Sequence, residues 1–160
     1  MILTTVGTML PFDRLIRSMD VWAAAHPGED VFAQIGEGKY EPQHMRFSRM
    51  LSPGEFSELV QKSSLIVAHA GTGSFFLAME FRKPIVLVPR YARFYEHTTD
   101  HQVHTANWLR AKPGVFVALT DEEIPGAIQK AQDQNTQNTS VFSPYAPKIF
   151  IDRLHEFLDN

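Results

Sequence analysis

Short apolar runs recur along the chain at Ile2 to Val6, Val31 to Ile35, Leu65 to Ala68, Ile85 to Val88 and Val115 to Leu119. Each is four or five residues long and rich in β-branched side chains, with no polar alternation, which is the pattern of a strand buried on both faces. Between the runs the apolar residues fall at helical spacing. This predicts helices over Phe12 to Ala25, Pro53 to Lys62, Ser74 to Arg82, Asp100 to Arg110 and Asp121 to Gln134, with a closing amphipathic helix over Ala146 to Leu158. Strands alternating with helices imply right-handed βαβ units and a parallel sheet covered on both sides, so the expected class is α/β, doubly wound.

Local signals sharpen some boundaries. Pro53 suits the first helical turn after Ser52, and Asp121 is expected to cap the run that begins Glu122-Glu123. The polar, Gln- and Asn-rich stretch 129–145 reads as a fraying helix end and a surface loop within one domain of 160 residues. The helix carrying Phe75-Phe76-Leu77-Ala78-Met79 is apolar all round and is expected to be core.

Composition narrows the chemistry. There is no cysteine, which excludes disulfides, thiolate metal sites and cysteine nucleophiles. A formal charge of −3 gives no global attraction for nucleic acid, and no nucleic-acid partner is expected. The longest apolar runs fall far short of the roughly 20 residues of a membrane span. Met1 to Val6 begin directly as a strand with no basic segment ahead of it, so no signal peptide is expected.

In an open parallel sheet, ligands bind beyond the carboxyl ends of the strands, where the strand order reverses. That directs attention to the turns after the strands. In Val6-Gly7-Thr8-Met9, Gly7 lets the backbone approach a ligand and Thr8 offers a hydroxyl and an N–H. In His69-Ala70-Gly71-Thr72-Gly73-Ser74, two glycines and two hydroxyls lie between a strand and a helix, where free N–H groups and the positive end of the helix dipole favour an anion such as a diphosphate. Local chemistry alone leaves two alternatives open there: a glycine connection needed only for close helix packing, and a His69 bonded to backbone at a strand end.

A third region, Pro89 to Gln102, holds Arg90, Arg93, His97, Asp100, His101 and Gln102. Its arginines suit phosphate, and Gln102 suits sugar hydroxyls because it both donates and accepts. A solvated loop with Asp100 as a helix cap is the plainer alternative. His97, His101 and His104 share helical spacing, yet no glutamate completes an H-E-x-x-H pattern and no carboxylate cluster joins them, so no metal is expected. Gly36-Glu37-Gly38-Lys39 is too short for a phosphate-binding P-loop and is expected beside the ligand instead.

Taken in order, these segments resemble a known family. Thr4-Thr5-Val6-Gly7-Thr8 with Phe12-Asp13-Arg14-Leu15-Ile16, then Gln34-Ile35-Gly36, then Ser64 to Ser74, Lys83-Pro84 and Asp100-His101-Gln102 are similar to the C-terminal domain of glycosyltransferase family 28. The likeness covers about residues 2 to 110. It is nearest to free-standing forms: the catalytic subunit of the eukaryotic UDP-N-acetylglucosamine transferase acting on dolichol diphosphate sugars, and bacterial exopolysaccharide subunits of the PssE/EpsE type, which the Pro89 to His97 stretch favours.

The resemblance implies a Rossmann-like domain, the C-terminal half of a GT-B enzyme, that binds a UDP-sugar as donor substrate and needs no cofactor or metal. It implies inverting, metal-independent hexosyl transfer to a lipid-linked glycan acceptor in polysaccharide biosynthesis, carried out with a membrane-associated acceptor-binding subunit at the cytoplasmic face. On this footing the substrate-binding residues are Gly7, Thr8, Gly71, Thr72, Gly73, Ser74, Arg90, Asp100, His101 and Gln102. His69 is the catalytic candidate, expected to shape or donate to the site rather than to act as base, and the general base is expected in the partner. Several relatives carry a glutamate that holds the ribose hydroxyls where this chain has Leu77, with Glu80 one helical step off that face. The alternative role is a non-catalytic enhancer subunit of another transferase; a stand-alone nucleotide-sugar epimerase or hydrolase is a third.

Overall fold

Each expected apolar run forms a strand in the computed structural model, which describes residues 1–134. In chain order the elements are β1 (Ile2–Thr5), α1 (Asp13–Ala25), β2 (Val31–Gln34), β3 (Arg46–Ser48), α2 (Pro53–Lys62), β4 (Leu65–His69), α3 (Thr72–Glu80), β5 (Ile85–Val88), α4 (His101–Leu109), β6 (Val115–Val117) and α5 (Ile124–Asp133). Single 3-10 turns lie at Ala92–Phe94 and Asp121–Glu123. All pairings are parallel, in the order β3-β2-β1-β4-β5-β6. The chain builds outward from β1 to β3, then returns to lay β4 on the other side of β1 and continues to β6. That reversal is the switch point of a doubly wound Rossmann-like sheet.

Alternation along the strands divides the core into two layers. Ile2, Val31, Ala33, Leu65, Val67, Val86 and Val88 pack on one face with Leu15, Ile16, Met19 and Trp22 of α1 and Ile124 and Ile128 of α5. Their strand neighbours Leu3, Ile66, Ala68, Ile85 and Leu87 point the other way, onto Val60 of α2, Phe75 and Ala78 of α3, and Ala106 and Leu109 of α4. Both faces are covered, which is why the runs are apolar throughout.

β3 had no counterpart in the apolar pattern. Arg46-Phe47-Ser48 offers one apolar residue, and the strand is an edge that exposes Arg46 and Phe47. It is placed by a buried carboxylate instead. Asp20, on α1, accepts the Tyr40 hydroxyl at 2.6 Å and the backbone N–H groups of Gln43 and His44 at 3.0 and 2.7 Å. Burial alone would raise its pKa, but the hydrogen bonds from Tyr40, Gln43 and His44 hold it below the ordinary aspartate value. This carboxylate anchors the irregular crossover that takes the place of a helix between β2 and β3.

Other boundaries differ in instructive ways. Ser52 caps α2 in a reciprocal capping box with Glu55, Pro53 entering the first turn as expected. Asp121 does not cap a helix: it lies in a 3-10 turn and its carboxylate accepts from Arg14, while α5 starts three residues later. The Gly36 to Lys39 loop leaves the carboxyl end of β2 beside the turn after β1, where a Cβ on Gly36 would lie 3.3 Å from Val6, but none of its residues lines the cavity. Its Lys39 N–H donates to Asp13 Oδ2 at 3.1 Å, and Gly38 lies so close to Asp13 that a Cβ would collide with the carboxylate. Of the stretch 129–145, residues 129–133 complete α5 and Gln134 is its C-cap; residues 135–145, with the closing helix expected over Ala146 to Leu158, lie outside the described residues.

Candidate functional site

A cavity of about 630 Å³ opens at the carboxyl edge of the sheet, centred on the gap between β1 and β4 where the strand order reverses. Its wall combines the turn after β1 (Val6 to Leu10), the segment ahead of α2 (Met50, Leu51), the first turns of α3 (Gly73, Ser74, Leu77) and the stretch from Arg90 to Gln102. Gly7, Thr8, His69, Gly73, Ser74, Arg90, His101 and Gln102 all line it; Gly71, Thr72 and Asp100 do not.

The turn after β1 is held by a network that its own residues do not announce. Gly7 adopts φ +75, the left-handed region, and its N–H reaches Thr5 Oγ1 at 3.2 Å. Thr5 in turn donates to Gln34 Oε1 at 2.7 Å, and Gln34 Nε2 donates to the carbonyls of Gly7 and Arg49 at 3.0 and 3.1 Å. Gln34 ties three loops together across the strand ends. Its signal was legible, because a glutamine closing an otherwise apolar strand must find partners once buried.

The glycine turn presents a bare helix end. Gly71 is the N-cap of α3 and supplies no side-chain cap, so the N–H groups of Thr72, Gly73 and Ser74 have no acceptor among the described residues. Gly73 and Ser74 carry this edge into the cavity. α3 is not core all round: Phe76 is 65% exposed.

His69 stands between the two turns. Its Nδ1 lies 3.3 Å from Ser74 Oγ, and a Cβ built on Gly7 would come within 2.8 Å of its Cε1. Burial first, then the positive charge of Arg90, push its pKa down to about 4; a hydrogen bond with the Thr5 backbone opposes them, and the neighbouring His97 adds a smaller push in the same direction as Arg90. The imidazole is therefore neutral at physiological pH.

Arg90 occupies the site differently from a phosphate-reaching arginine. It is 3% exposed, its guanidinium donates to the carbonyls of Val6, at 2.8 Å, and Leu10, and it lies 4.9 Å from the centre of the Phe12 ring. Burial lowers its pKa to about 10. Arg90 thus braces the turn after β1 from beneath, while its own backbone N–H donates to Gln102 Oε1 at 3.1 Å. That leaves the Gln102 amide nitrogen without a protein partner among the described residues. Arg93 stacks on Tyr91 and Phe94 and is not part of the cavity wall. Asp100 accepts the Ala92 N–H at 2.8 Å and shapes the loop rather than the wall. His97 and His101 meet edge to face, 4.4 Å apart, at the wall. Among the described residues no group of three or more His, Cys, Asp or Glu is placed to hold a metal ion.

The whole stretch is clamped by Arg14 of α1. Its Nε and Nη2 donate to the two Glu96 oxygens at 2.7 and 2.9 Å, Nη2 also donates to the Pro89 carbonyl at 2.8 Å, and Nη1 pairs with Asp121. Glu96 accepts the Tyr91 N–H at 3.0 Å as well. The bidentate arginine–carboxylate fork fixes the loop from Pro89 to Glu96 against the first turn of α1. Nothing local singles out Glu96, because its partner is 82 residues away.

The fold is similar to several solved glycosyltransferases. A spinosyn forosaminyltransferase, SpnP, matches with a TM-score of 0.60 at 16% identity, over 99% of this chain and 44% of its own. The calicheamicin glycosyltransferase CalG4 matches with a TM-score of 0.60 at 17% identity, over 99% and 43%. ALG13 matches with a TM-score of 0.56 at 17% identity, over 96% of this chain and 93% of its own. The chain thus spans less than half the length of the first two and nearly all of the third. No curated protein matches it significantly. The sheet order is that of the Rossmann-like C-terminal half of GT-B glycosyltransferases, and residues 1–145 match the glycosyltransferase family 28 C-terminal domain. The chain belongs to that family.

Proposed function

We propose that this chain is the donor-binding, catalytic subunit of a two-component UDP-sugar glycosyltransferase of the bacterial exopolysaccharide type, moving a hexose to a lipid-linked acceptor. The observation that carries this reading is the convergence, in one cavity at the switch point, of the open N–H groups of α3 with the unpaired amide of Gln102. The first can hold a diphosphate and the second a sugar hydroxyl.

In this scheme the acceptor hydroxyl oxygen attacks the anomeric carbon and its proton passes to a base on the partner. The bond from that carbon to the diphosphate oxygen breaks, and its electron pair leaves with UDP. Negative charge grows on the diphosphate as the bond breaks, where preorganised N–H donors lower the barrier without a metal. Neutral His69 adds no charge and is shaping, not catalytic. The partner is membrane-associated and recruits this chain to the inner face; no described helix is long and apolar enough to cross a membrane by itself.

Calorimetric titration with UDP and UDP-hexoses tests the reading. UDP is expected to bind, and Gln102→Glu, which keeps the acceptor for the Arg90 N–H but loses the amide donor, is expected to weaken the UDP-hexose about tenfold while sparing UDP. No binding of either ligand at millimolar concentration, with or without the partner, refutes the proposal. If Gly71→Asp and Gln102→Ala assemble with the partner and keep full transfer activity, the chain is an enhancer and not the catalytic subunit.

A further inference from the structure

We propose that His69 is a positioning residue whose imidazole is the spacer between the two turns of the cavity wall, and that this ring, not the ligand, demands glycine at position 71. The inference rests on the reading above only for its consequence, the spacing of the donors that would meet a nucleoside diphosphate.

β1 and β4 are adjacent and in register, Thr5 lying opposite Ala68, so the turns that follow them leave the sheet side by side. The two turns part because α1 and α3 cover opposite faces of the sheet, which opens a crevice between them at the level of the strand ends. His69, the last residue of β4, fills that crevice. Its Cε1 faces Gly7, where a Cβ would come within 2.8 Å, and its Nε2 and Cδ2 face Gly71, where a Cβ would fall under 3.0 Å of both. Its Nδ1 faces the Ser74 hydroxyl. The ring atoms beyond Cγ thus face the two turns and the first turn of α3, and the side chain also bonds the Thr5 backbone at the end of β1.

The two glycines separate the possible causes. Gly7 has φ +75 and would be favoured there for its conformation alone. Gly71 has φ −85, a region open to any residue, so only the closeness of the ring explains it. Gly73 is the contrast: it lines the cavity, yet a Cβ on it meets nothing within 4 Å. Among the glycines of these two turns, the crowding is confined to the two that flank His69. By filling the crevice, the ring fixes the separation between the N–H of Thr8 on one side and those of Gly73 and Ser74 on the other.

A double-mutant cycle in the full chain tests this, read by urea denaturation and by UDP calorimetry. Gly71→Ala alone is expected to lower the denaturation midpoint and to weaken UDP at least tenfold. In a His69→Ser background the same Gly71→Ala is expected to change either quantity less than twofold, because the colliding ring is gone. His69→Ser alone weakens UDP about tenfold, and His69→Gln, which restores length without the ring's chemistry, recovers most of that loss. Should Gly71→Ala fail to fold, recovery of folding in the His69→Ser background supports the spacer. Equal damage from Gly71→Ala in both backgrounds, or none in either, overturns it. Absence of UDP binding by the wild-type chain sinks the proposed function alone, since the denaturation cycle still decides the spacer.

Discussion

Replacing Asp20 with alanine is expected to cost about 3–5 kcal/mol of folding stability, a large share of what a domain of this size possesses. The carboxylate is 2% exposed and accepts from the Tyr40 hydroxyl and from two backbone N–H groups in the crossover to β3. Alanine removes the shared acceptor of these three donors, whose hydrogen bonds to Asp20 are part-buried, and a donor left without a partner there carries a desolvation cost. Asn, which keeps one acceptor oxygen, is expected to recover about half of the loss. Urea denaturation of the three proteins measures both. A cost below about 1 kcal/mol for the alanine variant would show that the crossover is held by packing and not by Asp20. Because Gln34, next to β3, also bonds the Arg49 carbonyl and the turn after β1, the Asp20 variants are further expected to weaken ligand binding at a distance.

Acidification is expected to destabilise the fold in two separate windows. A histidine titrates near 6.5 in the unfolded chain, whereas His69 stays neutral down to about 4 in the folded one. As pH falls through 6.5 the unfolded state takes up a proton that the folded state refuses. Stability is then lost at roughly 1.4 kcal/mol per pH unit, about 3 kcal/mol in all by pH 4. His97, also lowered, adds a small contribution of the same sign. Asp20 behaves oppositely in position: its folded pKa lies below the ordinary value, so its contribution is intact above that value and is lost only as pH falls further, through the folded pKa. Urea denaturation at pH 7, 6, 5 and 4 separates the windows. His69→Gln should flatten the slope between 6.5 and 4 and leave the acid limb in place. An unchanged slope in that variant would mean that His69 protonates freely in the folded chain.

These two residues show where local reading of the chain succeeds and where it stops. His69 was visible as the last residue of an apolar run before a glycine turn, and its place at the cavity follows from the strand ending there. That it is wedged between Gly7 and Gly71 depends on β1 and β4 being neighbours, which no segment states alone. Asp20 stands alone among the apolar residues Met19 to Ala25, but the partners that bury its carboxylate, Tyr40, Gln43 and His44, lie 20 to 24 residues away. Arg90 was rightly placed at the cavity, but its guanidinium is committed to the carbonyls of Val6 and Leu10, 84 and 80 residues away in sequence.

By itself the sequence determined the parallel, doubly covered sheet and the turns that wall the cavity, because strand length and double-sided burial are set within a few neighbouring residues; the helix after the glycine turn, expected from Ser74, starts at Thr72. Only the tertiary structure decided that β3 exists, that Arg14 and Glu96 clamp the loop over the site, and which polar atoms remain free for a ligand. A hydrogen-bonding group is spent on whichever partner folding brings within about 3 Å, and for Arg14, Arg90 and Gln34 those partners lie on other strands and helices. The glycine at position 71 joins both halves of that division: its residue type was plain from the outset, and the ring that requires it came into view only when β4 was laid beside β1.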